Sequence, residues 1–455
     1  MNTSKIARIL PTPLFDILIS IFNKLQYVTR RAGQYKKIRK ERASFDSLGI
    51  EQLREIQNNR FIEFVNYAKT NSPYFKKQLQ GIDVSCVADI KLLPMLEKTT
   101  LINELSEIAT IKESEAIVSY TGGTTGASMK VLYKKSCMQE RFAYLDNFRA
   151  QFGYELGAKV AWFSGKNLLC DRDVRKRRFF KDDYINKIRF FSTFHITPEH
   201  ARHYFRSLEE FQPKYLVGFP SSVLRICKYA ESQGLKYKGK VEVFFPTAEM
   251  VTKEHREVIG RVLGCRLVDQ YASSEGAPFI FECNEGNLHI DITSGVFEVL
   301  DEEGNDTQQG ELVVTAFGTK GTPLIRYRVG DRLTLSERTE CPCGNHMPLA
   351  ENIGGRKDDF IVSPTLGEVN LGNISNSTKA VSGIICFQIE QRELDKITVR
   401  VVPSSAFDEQ QQNKFVSALS ERMGEKVEIN FELVKEIPVE KSGKFRIIKN
   451  MLKAS

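Results

Sequence analysis

Between about residues 115 and 275, short β-branched or aromatic runs alternate with stretches of helical periodicity. That alternation is the pattern of a parallel sheet covered by crossover helices, because a strand of about five residues and a longer amphipathic helix can only bury each other in layers. Strand candidates are residues 160–163, 215–217, 241–245 and 267–271. Helix starts are punctuated between them. Ser136 with Gln139 reads as a capping box before a helix reaching about Phe152, and Thr197 followed by Pro198 supplies an N-cap and a first-turn proline. Ser221 begins a helix that Gly234 can end, and residues 252–264 form a third.

The rhythm changes twice further on. Residues 286–336 are short strands separated by turns such as 301–305, which predicts an antiparallel or barrel-like subdomain. After the run Gly354, Gly355, Arg356, Lys357, Asp358, Asp359 the order becomes strand, strand, helix (residues 408–423) and strand. A chain of 455 residues exceeds what one core usually supports. The expected class is therefore α/β: a large N-terminal lobe (46–355) with mainly parallel sheets and a β-rich subdomain, then a small α+β C-terminal domain (356–455) on a glycine-containing hinge.

Residues 1–45 stand apart. Ile6, Ile9, Leu10, Leu14, Ile17, Leu18, Ile21, Phe22 and Leu25 approximate a helical stripe, and residues 30–42 are rich in Lys and Arg. Such a segment either lies on an anionic membrane surface or packs its apolar face on its own domain. It is too short and too polar to span a bilayer. Nine cysteines at irregular spacing, without a cleavable signal pattern, suit thiols in a reducing cytoplasm. The net charge of +8 and the basic, aromatic run 172–189 raise nucleic acid as a partner, but Asp171, Asp173, Asp182 and Asp183 dilute the run, and no nucleic-acid partner is expected.

The loop Thr121, Gly122, Gly123, Thr124, Thr125, Gly126, Ala127, Ser128, Met129, Lys130 follows the apolar run 116–118. Glycines let backbone amides turn toward an anion and the hydroxyls add donors, so the loop can cradle phosphate. No Walker A pattern can be drawn through it, and alone such a loop is more often a plain turn. Four further segments occur downstream in fixed order: residues 270–276 around Tyr271, Ser274 and Glu275; residues 327–331 ending in Asp331; residues 355–359; and residues 438–444 ending in Lys444.

These five motifs together resemble the adenylate-forming superfamily of acyl-CoA synthetases, peptide-synthetase adenylation domains and luciferases, and within it the phenylacetate-CoA ligase and capsular-polysaccharide CapK branch. The resemblance covers about residues 60–450. It implies an ATP-dependent ligase that activates a carboxylic acid as acyl-AMP and passes it to a thiol such as coenzyme A, an amine or a sugar hydroxyl. By the same resemblance Thr121, Gly122, Gly123, Thr124, Thr125 and Gly126 hold the triphosphate, with Thr121 catalytic, and Tyr271, beside Ser274, stacks on adenine. Glu275 binds Mg²⁺, Ala248 and Glu249 meet the adenine edge, and Asp331 takes the ribose hydroxyls with Arg356 nearby. Asp358 is the hinge, and Lys444 reaches the carboxylate and α-phosphate. Cations there have a physical reason, since an anionic carboxylate must approach a polyanion. In place of the usual glycine-containing stretch after the hinge stand residues 363–368, which leaves the acceptor open: aromatic-acid CoA ligase, polysaccharide-modifying ligase and non-catalytic nucleotide-binding module all remain readings. The CapK likeness implies a step in making or decorating a surface polysaccharide, and the basic N-terminal segment suits work at the inner membrane face.

A second constellation is independent of the nucleotide. Cys283 and His289 in a C-x5-H arrangement, with Cys341 and Cys343 some fifty residues on, offer four ligands for a structural Zn²⁺. Buried cysteines without metal are the alternative. His195, with Phe219, Pro220 and Ser221, either lines an acyl pocket or is a satisfied core histidine.

Overall fold

A computed structural model describes residues 10–120, 130–164, 168–273, 275–356, 360–365, 367–370, 374, 376–378, 381–424, 426–438 and 445–452. The chain divides into two compact units. One comprises residues 1–23, 157–267 and 355–455, the other 24–156 and 268–354.

The first unit holds the predicted parallel sheet. Five strands, Val160–Ser164, Ile188–Ser192, Tyr215–Gly218, Val243–Pro246 and Arg266–Leu267, run parallel, and Phe180–Asp183 joins antiparallel at the edge. Strand order reverses at Val160–Ser164, which lies between Ile188–Ser192 and Tyr215–Gly218. Val217, Phe244 and Ala161 on the strands are fully buried, as expected of strands covered on both faces. The helix Pro198–Phe211 begins as its sequence predicts, with Thr197 Oγ1 accepting from the His200 amide at 3.3 Å. Gly218 has φ +131°, and a Cβ there would stand 1.8 Å from the carbonyl oxygen of Phe163, so only glycine permits the neighbouring strands to approach.

Two boundaries differ from the sequence reading. Residues 267–271 are not one strand: Arg266–Leu267 belongs to the parallel sheet and Gln270–Tyr271 to an antiparallel one, the break falling where the chain passes from one unit to the other. The helix expected from Ser136 is Lys135–Ala150, and Gln139 does not complete a capping box. Its amide instead accepts from the Gln34 backbone at 3.3 Å and donates to the Thr29 carbonyl at 3.1 Å, so a tertiary role displaces the local one.

The basic segment 172–189 is neutralised in part by its own aspartates. Lys181, with no exposed surface, pairs with Asp173 at 2.9 Å, and Arg189 grips Asp182 through two nitrogens at 2.7 and 3.1 Å. The N-terminal helix exists as Thr12–Arg31, but only Phe15, Asp16 and Ser20 of it are buried. Its apolar stripe is therefore not what packs on the domain.

Residues 360–452 of the same unit carry the predicted α+β tail. A four-stranded sheet in the order Glu428–Leu433, Lys396–Pro403, Ile384–Glu393, Ile448–Asn450 packs on the helix Glu409–Met423, and Phe415, Leu419 and Met423 fill its core. Asp408 caps that helix, accepting from the Gln411 amide at 2.9 Å.

The second unit holds nearly all of a seven-stranded antiparallel sheet built from residues 270–356, which extends on both sides of the β-rich region 286–336 that the sequence predicts. The helix Ile50–Asn71 buries Leu53, Phe61, Phe64 and Val65 in the core cluster that also contains Val296, Leu312 and Val314 of the sheet. A hairpin of Ile117–Tyr120 and Lys130–Tyr133 pairs Tyr120 with Lys130.

Near the end of the parallel sheet, Thr252 and His255 form a reciprocal cap. Thr252 Oγ1 accepts from the His255 amide at 3.3 Å, and His255 Nδ1 accepts from the Thr252 amide at 3.0 Å. Burial, with Lys228 and Arg256 nearby, pushes the imidazole down to about 3, so it folds neutral. The unfolded chain takes up a proton near pH 6.5 that the folded chain refuses, and stability is present above that pH and lost as pH falls toward 3. His255→Gln retains an acceptor at the cap and removes the titration. Thermal unfolding followed between pH 7 and pH 4.5 should show a smaller loss of Tm for this variant than for the parent; parallel curves would exclude His255 as a source of the acid sensitivity.

Candidate functional site

Within the second unit, two of the resemblance-derived residues meet. Tyr271 ends the short strand Gln270–Tyr271, Asp331 lies on Leu324–Leu335, and the Tyr271 hydroxyl donates to Asp331 Oδ2 at 2.7 Å across 60 residues of sequence. Gly330 beside Asp331 adopts φ +83°. The strand bearing Asp331 is anchored by a buried fork: Arg326 Nε and Nη2 bond both oxygens of Glu298 at 3.0 and 2.9 Å, while Nη1 reaches the Leu93 carbonyl at 2.9 Å.

Glu275 is almost fully buried. The segment that carries it is shaped by Arg141 on the helix Lys135–Ala150. Its guanidinium donates to the carbonyls of Gly276 at 2.8 Å, Ala277 at 3.0 Å and Ser273 at 3.3 Å. Gly276 has φ +110°, and a Cβ there would meet Thr319 at 2.5 Å and the Tyr133 hydroxyl at 2.6 Å. Burial pushes the Tyr133 phenol up to about 12; Arg141 works against that rise and the negative charge of Glu275 adds to it. The segment thus has little freedom, which suits a carboxylate that must hold a cation in one place. Sequence reasoning missed Arg141, because nothing local marks it: its partners lie about 135 residues away.

In the first unit, Thr247, Ala248 and Glu249 follow the strand Val243–Pro246 at the carboxyl edge of the parallel sheet, where ligands gather in open α/β folds. Ala248 takes φ +65°, an uncommon conformation for a residue with a Cβ. Glu249 accepts from the Ser221 amide at 3.0 Å and from its hydroxyl at 2.9 Å, placing a carboxylate at the N-terminus of the helix Pro220–Ser232. The helix dipole and two donors hold the Glu249 carboxylate in place. His195 is satisfied locally, its Nδ1 2.9 Å from Ser192 Oγ and its ring stacked on Phe179, and burial lowers its pKa. Those contacts favour the core-histidine reading.

Other predicted positions are placed differently. Lys130 pairs with Glu113 at 2.8 Å. Arg356 ends the strand Leu349–Arg356. Thr121, Gly122, Gly123, Thr124, Thr125, Gly126, Ser274, Asp358 and Lys444 lie outside the described residues.

The cysteine and histidine cluster is brought together as its spacing suggests. Ligand atoms of Cys283, His289, Cys341 and Cys343 all lie within 4.8 Å of one another. Cys283 Sγ stands 3.7 Å from Cys341 Sγ, and Cys343 Sγ 3.4 Å from His289 Nε2. A tetrahedron with metal–sulfur bonds of about 2.3 Å has edges of about 3.7 Å, so the spacing fits a shared ion and is far too long for a disulfide. His289 Nδ1 faces the Met347 carbonyl at 3.3 Å, which leaves Nε2 directed at the cluster. Burial lowers the His289 pKa and favours the neutral, ligating imidazole. Turns closed by Gly286 N to Cys283 O at 3.0 Å and Gly344 N to Cys341 O at 3.1 Å form two facing knuckles.

Removing the Arg141 guanidinium should loosen the Glu275 segment. Arg141→Met is expected to cost about 1.5–3 kcal/mol in chemical denaturation, the range for hydrogen bonds to a charged group. It should also speed amide hydrogen exchange across residues 275–277. Unchanged exchange would show that the guanidinium does not restrain the segment.

Comparison with known proteins now adds a lineage. Residues 361–451 match the family described as the CapK C-terminal domain. The chain is 32% identical over 440 residues to Protein CapK of Staphylococcus aureus, covering 95% of both. It is 24% identical over 347 residues to phenylacetate-coenzyme A ligase of Pseudomonas putida, covering 70% of this chain and 73% of that one. In fold it resembles the crystal structure of 2-hydroxyisobutyryl-CoA ligase in its postadenylation state in complex with 2-HIB-AMP, with TM-score 0.73 and 17% identity over 89% of this chain and 91% of that one.

Proposed function

Because the chain belongs to the CapK family, an enzyme family of the adenylate-forming ligase class, we propose that it couples ATP to the activation of a carboxylic acid and passes the acyl group to a thiol, amine or sugar hydroxyl. The observation that carries this reading is the meeting of Tyr271 and Asp331 at 2.7 Å beside the rigidly held Glu275 segment. Those residue types at those positions are what the adenylate-forming resemblance requires of an adenosine and magnesium site.

In the proposed first step a carboxylate oxygen attacks the α-phosphorus, a carbon–oxygen–phosphorus linkage forms, and the bond to pyrophosphate breaks. Like charges meet, so cations lower the barrier. Glu275 would hold Mg²⁺ against the phosphate oxygens, and Lys444 would approach the carboxylate. Tyr271 would stack on adenine while Asp331 receives the ribose hydroxyls, and the 247–249 turn would meet the adenine edge. Thr121 to Gly126 would cradle the triphosphate. In the second step residues 356–455 would turn about Asp358 to admit the acceptor. A thiol acceptor such as coenzyme A gives a thioester, whereas an amine or sugar acceptor gives an amide or ester; the CapK branch supports a sugar within surface polysaccharide biosynthesis, at the cytoplasmic face of the membrane.

The sulfur and imidazole cluster would hold a structural Zn²⁺. All four positions of the tetrahedron are filled by protein, so the ion would lock the two knuckles together and take no part in the ligase chemistry. Metal analysis of the purified chain should find about one zinc per molecule. Cys341→Ser or Cys343→Ser should lower that stoichiometry and the Tm together, whereas a metal-free parent of unchanged stability would leave the cluster a set of buried thiols.

ATP–pyrophosphate exchange tests the central claim. A screen over carboxylic acids, uronic acids included, should reveal at least one that supports exchange, and Lys444→Ala should reduce it by about 10²–10³-fold, the cost of deleting one group that stabilises transition-state charge, with circular dichroism unaltered. Wild-type exchange in that variant would overturn the role of Lys444, and silence with every acid would favour a nucleotide-binding module.

A further inference from the structure

The helix Thr12–Arg31 is built inside out. In an ordinary surface helix the apolar stripe faces the core and the polar face meets water. Here Leu14, Ile17, Leu18, Ile21, Leu25 and Val28, spaced i, i+3, i+4, i+7, i+11 and i+14, are each 44–62% exposed, and Phe22 extends the same face. The side turned inward is held chiefly by polar bonds. Asp16 pairs with Arg178, Ser20 Oγ accepts from the Tyr184 amide at 2.9 Å, Asn23 donates to Asp183 at 2.9 Å, and Thr12 donates to Asp173 at 3.1 Å. Rotating the helix to bury its stripe would break every one of these bonds and strand buried charge. The apolar face is therefore committed to the outside.

The strand connection that receives the helix prolongs the patch. Tyr184 and Ile185, beside the Ser20 and Asn23 contacts, are 58% and 48% exposed. Cations accompany it: Lys24 on the helix, Lys187 two residues after Ile185, and the exposed Arg175, Lys176 and Arg177 on the segment whose Arg178 bonds to Asp16 of the helix and whose Arg172 bonds to the Leu10 carbonyl just ahead of it. The helix carries a single acidic residue, Asp16, which is buried.

We propose that this face docks the enzyme on the interfacial layer of a bilayer containing anionic phospholipid. An apolar stripe of this length rimmed by cations matches acyl chains beneath negative headgroups. A second copy of the chain fits poorly, because pairing two such faces would set Lys against Lys with no exposed acid on the helix to receive it. Among the described residues no helix is long and apolar enough to cross a membrane, so the contact is parallel to the surface. The inference goes beyond the ligase reading and needs neither ATP nor acid to be tested.

Flotation of the full chain with phosphatidylcholine vesicles, and with vesicles of phosphatidylcholine and phosphatidylglycerol at about three to one, reads it directly. Binding to the anionic vesicles should exceed binding to the neutral ones by about tenfold or more and weaken with salt. The double variant Ile17→Gln with Ile21→Gln, both positions solvent-facing, should melt as the parent does and lose about tenfold or more of that binding. Equal flotation with both vesicle types, no flotation at all, or undiminished binding of the double variant would overturn the proposal. A dimer seen by light scattering that the double variant makes monomeric, without vesicle binding in the parent, would assign the face to a second copy instead.

Discussion

Arg141 and the helix that carries it are the constraint around which the second unit is organised. Lys135–Ala150 is buried on more than one side: Cys137, Gln139, Ala143, Tyr144, Asp146, Phe148 and Arg149 all lie inside. A helix with polar groups in that position must satisfy them or forfeit stability. Arg141 does so on the carbonyls of the Glu275 segment, Asp146 on Arg31 and the Tyr35 hydroxyl, and Arg149 on Gln270 at 3.1 Å. Each bond ties a distant piece of chain to one rod.

The same helix also sets the place of the metal cluster. Tyr144 stacks on Phe279 and Phe148 on Phe281, with ring centroids 5.8 and 4.2 Å apart, so the strand leading to Cys283 is pressed against it. Candidate adenosine contacts and candidate metal knuckle therefore share one mechanical support. In the other unit the supporting device is different: a parallel sheet whose carboxyl edge carries the 247–249 turn, fixed by Glu249 at a helix N-terminus.

How much of this was legible beforehand follows from the range of the interactions. Thr197 announces its helix because a cap is made within three residues. Cys283, His289, Cys341 and Cys343 are recognisable because metal ligation demands few residue types at short spacing. Gln139 was misread as a cap, since its real partners, at Thr29 and Gln34, are over a hundred residues distant. Arg141 carried no signal for the same reason. Residues 267–271 read as one apolar strand because periodicity cannot register that the chain changes sheets midway.

By itself the sequence determined the alternation of strand and helix, the antiparallel region after it, the α+β tail, the order of the adenylate-forming motifs and the four-ligand cluster. These depend on local propensity, on capping or on residue identity. Tertiary structure alone decided that Asp331 receives the Tyr271 hydroxyl, that Arg141 shapes the Glu275 segment, and that Lys181 and Arg189 of the basic run 172–189 pair with its own aspartates. It alone also decided which way the N-terminal helix faces. A 3.6-residue period reveals that a helix has an apolar side, but which side is buried depends on whether the partner surface offers apolar groups or, as Arg178 and Asp183 do here, charges that must be met.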